Sequence, residues 1–286
     1  MLRSKALSTI NNMKHLLLNE NGFTDYSYQG QVVEDNLYSY VKPPPPLSRW
    51  IQCFWELNIP AGRYVYRSVP DNNVDCIFSL NNTEEAFVVS PFYLPKSFEM
   101  DGPVSYFGVR FRVLAQQWLT TLPIGEWENA SIIDIFGVPL IHSLLESIEN
   151  EDNFLSRCNK VGKELLASLF YRGIDKRLMG FVRYAHQNTS SKNDFSDKQC
   201  AQFGLSARHL RRLSQLYLGL SPRNFSRVVR FQKTLHLMSN SRNASVWADY
   251  YYDQPHFIRE FKALSGVTPV KFTNMSALYN TAKDSI

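Results

Sequence analysis

The residues best suited to chemistry in this chain are arginines set at helical spacing. Residues 196–218 read SDKQCAQFGLSARHLRRLSQLYL, and Arg208, Arg211 and Arg212 fall on the outward side of a helical pattern. Leu210, Leu213, Leu216 and Tyr217 face inward at the same spacing. A guanidinium carries a planar fork of donors that matches a guanine edge or the oxygens of a phosphate. A second set follows in DQPHFIREFK, where Gln254, His256, Arg259 and Lys262 lie within one short helical stretch. A glutamine amide fits the donor and acceptor pair of an adenine edge. A solvated polar helix face would show the same residue types, so the elements that position them must decide.

Those elements are legible. Ser196 can cap a helix, because its hydroxyl accepts from free N–H groups of the first turn. Ala201 is small enough to let a second helix cross closely. Gly204 ends the helix at low cost in the left-handed conformation, and Ser206 caps the next. Helix, glycine turn and capped helix make a helix-turn-helix. After Gly219-Leu220-Ser221-Pro222 a long helix is predicted from Arg223 to about Met238. A further helix is predicted to start at 244–248, followed by a tyrosine-rich turn at 250–252 and a second recognition helix opening at Asp253. That helix ends at Gly266 before Thr268-Pro269, which repeats Gly219…Ser221-Pro222 after 47 residues. The same parts in the same order occur twice.

The charge is distributed to match. Of 31 Lys+Arg and 26 Asp+Glu, residues 181–286 hold 15 and 6, a net of +9. Residues 1–180 hold the other 16 and 20, a net of −4. A basic part joined to a mildly acidic one suggests that only the C-terminal part meets a polyanion.

The segments GLSPRNFSRVVRFQKTL and YYDQPHFIREFKALSGVTP resemble the signature of the AraC/XylS family of bacterial transcriptional regulators, over roughly residues 180–275. The resemblance implies an all-α domain with two helix-turn-helix units joined by a long central helix. It places Arg208, Arg211 and Arg212 at base- or phosphate-contacting positions of the first recognition helix. Gln254, His256 and Arg259 take those positions in the second, with Lys262 added to the DNA-binding set. Phe225, Phe231, Phe257 and Phe261 match core positions. The implied partner is promoter DNA, gripped in two successive major grooves about 34 Å apart. Activation is the commoner behaviour in the family, which adds RNA polymerase as a further expected partner. One departure is Tyr250, which stands where the family's second turn usually has Gly; a tyrosine with positive φ is costly.

The N-terminal part reads differently. Pro43 to Pro46 favour an extended segment. From about 47 to 113, short apolar and aromatic runs alternate with turn signals such as Pro60-Ala61-Gly62 and Pro70-Asp71-Asn72-Asn73, the pattern of a β-sandwich or small barrel. Trp50…Trp55, Pro70-Asp71…Val74-Asp75 and Gly108-Val109-Arg110-Phe111 resemble a degenerate cupin-type domain. Such domains sense a small molecule or mediate dimerisation, and both readings stand. Trp55, Arg110 and Arg112 are the candidate effector contacts; core packing for Trp55 and an Asp-paired Arg110 are the plainer alternatives. Apolar stripes at 139–178, including Leu140-Ile141, Leu144-Leu145 and Ile148, suggest a homodimer surface.

The expected architecture is therefore α+β in two domains: 1–135 cupin-like, 136–179 a helical linker or dimerisation region, and 180–286 the double helix-turn-helix. Enzyme chemistry is not expected. Before His142 the chain has only His15, which argues against a histidine-based metal centre in the β part. Cys53, Cys76, Cys158 and Cys200 form no C-x-x-C pair, and no phosphate-binding loop or nucleophile elbow is present. No cofactor is expected. The N-terminal residues lack a convincing signal-peptide pattern and no run is long enough to span a membrane, which points to the cytoplasm.

Overall fold

The computed structural model describes residues 37–82, 85–170, 174–188, 194–240, 250–273 and 278–280. The helix expected to start at 244–248 lies outside these residues. The first part is an antiparallel sheet of β1 (Tyr38–Val41), β2 (Ile51–Ser68), β3 (Val74–Ser79), β4 (Ala86–Val89) and β5 (Lys96–Phe111), in the order β1-β2-β5-β3-β4. Four helices follow: α1 (Ile132–Phe136), α2 (Val138–Glu149), α3 (Phe154–Ser168) and α4 (Lys176–Gln187). The C-terminal part is α5 (Asp197–Cys200), α6 (Ala207–Leu218), α7 (Pro222–Asn240), α8 (Gln254–Ser265) and α9 (Pro269–Thr273). A last strand, β6 (Leu278–Asn280), pairs with β2. The antiparallel sheet and the helical C-terminal part bear out the α+β reading.

The long antiparallel β2–β5 pair carries the sheet. Side chains alternate across a strand, so each strand offers two faces. Phe54, Val74, Cys76, Phe78, Phe107, Val109 and Phe111 share one core with Leu140, Ile141, Leu144, Ile148, Val161 and Leu165. That finding corrects the expected dimer surface. The apolar stripes of α2 and α3 point inward and are covered by the sheet, with Ile141 and Leu165 almost wholly buried. Near the N-terminal end of β2 a register shift between Ile51 and Cys53 changes the alternation. Ile51 thereby joins the helix-covered core, whereas Cys53, Trp55, Leu57 and Ile59 line the opposite face.

The two parts pack against each other directly. Val113 and Leu114, just beyond β5, lie in the cluster formed by α4, α6 and α7. Val69 joins the cluster of α7 and α8. Gly219 takes φ 71° at the end of α6, and a Cβ there would come within 2.8 Å of Ile124. This junction therefore requires glycine on two counts.

Candidate nucleic-acid interface and sheet cavity

The first helix-turn-helix is built as the sequence predicts. The Ser196 hydroxyl caps α5, Gly204 takes φ 70°, and the Ser206 hydroxyl accepts from His209 N at 3.2 Å to open α6. Asp197 ties the unit together, accepting from Ala207 N at 2.6 Å across the turn. Leu205, Leu210 and Leu213 are buried against Leu178, Phe181, Val182 and Phe225. With that face fixed inward, Arg208, Arg211 and Arg212 are exposed on the other. Arg212 is partly ordered by its neighbour, with Nη2 3.2 Å from His209 Nε2. The far end of α6 leans on the sheet part, where Gly125 sits against the backbone of Gln215 and Leu216. The arginines lie nearer the start of the helix than that contact.

In the second unit the described recognition helix, α8, is capped and stopped in the same way. The Asp253 carboxylate accepts from His256 N at 2.6 Å, Pro255 sits in the first turn, and Gly266 takes φ 80° at the end of α8. Gln254, Arg259 and Lys262 are exposed. His256 is half-buried; its ring packs on Tyr251 and its Nδ1 accepts from Tyr252 N at 3.4 Å. The imidazole therefore shapes the turn as much as it faces outward. Among the described residues only Leu114 and Phe195 combine a side chain with positive φ, so Tyr250 does not take the costly conformation. Its ring packs instead beside the cluster of Phe231, Tyr251, Phe257 and Phe261.

Sequence reasoning missed how α8 is fixed to the central helix α7. Glu260 accepts from Arg227 in a two-pronged pair, at 2.9 and 3.1 Å, and lies 3.5 Å from Arg230. Burial alone would raise the Glu260 carboxyl, but the Arg227 and Arg230 guanidinia hold it below the usual carboxylate range. Arg230 also stacks on Tyr251, 5.3 Å from the ring centre. A Glu flanked by the exposed Arg259 and Lys262 looks like surface in one sequence, so only the partner helix reveals it. Phe225, Phe231 and Phe261 are fully buried and Phe257 nearly so, as expected of core positions.

The sheet face away from α2 and α3 encloses a cavity of about 240 Å³. Three aromatic pairs line it: Tyr38–Trp55, Tyr66–Phe98 and Phe87–Tyr106. Gly108 makes room for the Trp55 indole, because a Cβ there would fall 1.9 Å from Trp55 Cε2. The floor is polar. Arg110 donates from Nε and Nη2 to the two oxygens of Asp75, at 3.0 and 2.7 Å, and Nη1 lies 3.4 Å from Asp71. Trp55 Nε1 donates to the same Asp75 at 2.9 Å. Burial opposes the charge on Arg110, and the Asp75 and Asp71 carboxylates overcome it. Burial pushes the Tyr66 phenol up to about 12 and the Cys53 thiol up to about 11, so both stay protonated near neutral pH. Of the three candidate effector contacts, Trp55 and Arg110 line the cavity. Arg112 does not belong to its lining; it donates to the Ser48 carbonyl at 2.7 Å.

The cavity floor is joined to the helix-turn-helix part by the turn 70–73. Asp71 belongs to the floor, and its neighbours bond to α7. Gln232 Nε2 donates to the Pro70 carbonyl at 2.5 Å, and Asn72 Nδ2 donates to the Phe225 carbonyl at 3.2 Å.

Comparison with known proteins agrees with this division. Residues 199–275 match the family described as a helix-turn-helix domain, and residues 39–133 match one described as a domain of unknown function (DUF6597). Residues 199–275 are an AraC-type helix-turn-helix domain. No curated protein matches the sequence significantly. Two solved structures are similar, both of ToxT from Vibrio cholerae. The 1.65 Å structure in a P21 form is 10% identical and covers 78% of this chain and 94% of its own, with a TM-score of 0.39. An apo variant from strain SCE256 is 11% identical, covers 77% and 91%, and also scores 0.39. The AraC-type domain supports a DNA-binding transcriptional regulator, and among the described residues no helix is long and apolar enough to cross a membrane.

Proposed function

We propose that this chain is a sequence-specific regulator, and by preference an activator, that sets α6 and α8 into successive major grooves of promoter DNA in the cytoplasm. One observation carries the reading: three exposed arginines stand on the outward face of a capped helix whose inward face is fully packed. Arg208, Arg211 and Arg212 on α6 and Gln254 and Arg259 on α8 read bases or phosphates, with His256 and Lys262 beside them. α7 spaces the two units; its 19 residues span about 28 Å at 1.5 Å per residue. The DNA-binding unit expected at 180–286 begins at the head of α4, since Leu178 and Met179 already pack in its core.

We further propose that the sheet cavity receives a small effector. Occupancy would act on Asp71 and through the turn 70–73 on α7, which both helix-turn-helix units abut. Selection of genomic fragments bound by the purified full chain tests the DNA reading. The expected result is an asymmetric motif with two half-sites about one helical turn apart. No enrichment even at low salt would overturn it and turn attention to protein partners.

A further inference from the structure

The structure assigns a ligand class to the cavity: we propose that it takes an organic cation, a small aromatic or alkyl ammonium ion. The inference rests on the reading of this cavity as an effector site. Its lining carries four carboxylates, Asp71, Asp75, Glu85 and Glu99, against one guanidinium, Arg110. Counting also the rim cations Arg63, which pairs with Glu99 at the surface, and Lys96, carboxylates still outnumber basic groups by one. The one guanidinium in the lining that could receive an anion is already paired. Arg110 is held by both Asp75 oxygens and by Asp71, so an acidic ligand would meet a neutralised guanidinium and several like charges. A carboxylate guest is therefore disfavoured.

The walls favour the opposite charge. Aromatic rings present a negative face to cations, and cages of such rings bind quaternary ammonium groups. Here three ring pairs come from different strands, with centroids 6.0 to 6.4 Å apart within each pair. The lining already shows this attraction at its edge, where Lys96 Nζ lies 4.9 Å from the centre of the Phe92 ring. A cation among these rings would sit beside a buried floor of two carboxylates, Asp71 and Asp75, on one guanidinium, Arg110.

The test uses the full chain and three probes of similar size: benzyltrimethylammonium, benzyl alcohol and benzoate. Binding is followed by calorimetry and by the shift in unfolding temperature. The ammonium ion is expected to bind to saturation and at least about tenfold more tightly than the other two. In Phe98→Leu, which keeps an apolar wall but loses one ring face, its affinity is expected to fall about fivefold while the melting curve of the free protein stays cooperative. Equal or tighter binding of benzyl alcohol or benzoate would overturn the cation assignment and leave the effector cavity standing. If no probe binds to a protein that still binds DNA, both the assignment and the effector reading fall.

Discussion

Gln232 and Pro70 are 162 positions apart in sequence, yet the Gln232 amide donates to the Pro70 carbonyl at 2.5 Å in the interior. The bond joins the helix between the two DNA-binding units to the turn that forms the cavity floor. Removing it in Gln232→Ala leaves a buried carbonyl without this donor, and the expected cost is about 1–3 kcal/mol of unfolding free energy. Asn72→Ala removes the neighbouring bond to Phe225 and should cost a similar amount. The two bonds share one turn, so the double variant should depart from additivity by at least about 0.5 kcal/mol. Denaturant unfolding of the four proteins measures this; strict additivity would mean the turn does not act as a unit.

Gly108 and Trp55 approach closely within the sheet: a Cβ on Gly108 would fall 1.9 Å from Trp55 Cε2. In Gly108→Ala the new methyl collides with the indole, and unlike the end of a flexible side chain the ring cannot bend away. The indole must shift and loosen its bond to Asp75. A destabilisation of about 1–3 kcal/mol is expected, as for other overpacked interiors. Tryptophan emission should also shift to longer wavelength as the ring moves toward solvent. An unchanged spectrum with full stability would show that the strand relaxes instead.

The helix-turn-helix units were readable because local rules fix them. Ser196, Gly204, Ser206, Asp253 and Gly266 act on their own turns, so spacing alone places the caps and stops. The inward direction of the α2 and α3 stripes was not readable, since a helix records that it has an apolar face but not which partner covers it. The cavity was half legible. Trp55 and Arg110 could be named from one strand pattern each, but Tyr66, Phe87, Phe98 and Tyr106 meet only once four strands are paired. Arg110 is paired with Asp75, the plainer of the two readings its strand allowed, but the partner lies 35 residues away in sequence.

Arg211→Ala separates base reading from phosphate binding. Arg211 is exposed, so the unfolding free energy should change by no more than about 0.5 kcal/mol. Binding to the selected sequence should weaken by about 1–3 kcal/mol, with a smaller loss on a scrambled duplex. Titrations at several salt concentrations check the assignment. Equal losses on both duplexes, with a shallower salt dependence, would make Arg211 a phosphate contact.

His186 on α4 predicts an early loss of stability in acid. Burial, helped by the charge of Lys233, pushes its imidazole down from 6.5 to about 3. The ring packs against Phe225, and Lys233 donates to the His186 backbone carbonyl, so the site is closed by α7. The unfolded chain takes up a proton as the pH falls through about 6.5, whereas the folded protein resists until about 3. Stability is therefore full above pH 6.5 and declines as the pH falls from there toward 3. The lowered Glu260 carboxyl acts in the same direction but only below its ordinary value of 4.5. His186→Phe keeps an aromatic ring against Phe225 and removes the titration. Urea midpoints between pH 7.5 and 4 should then stay nearly flat down to about 5 in the variant and slope downward in the parent. Parallel slopes would show that other groups control the acid limb.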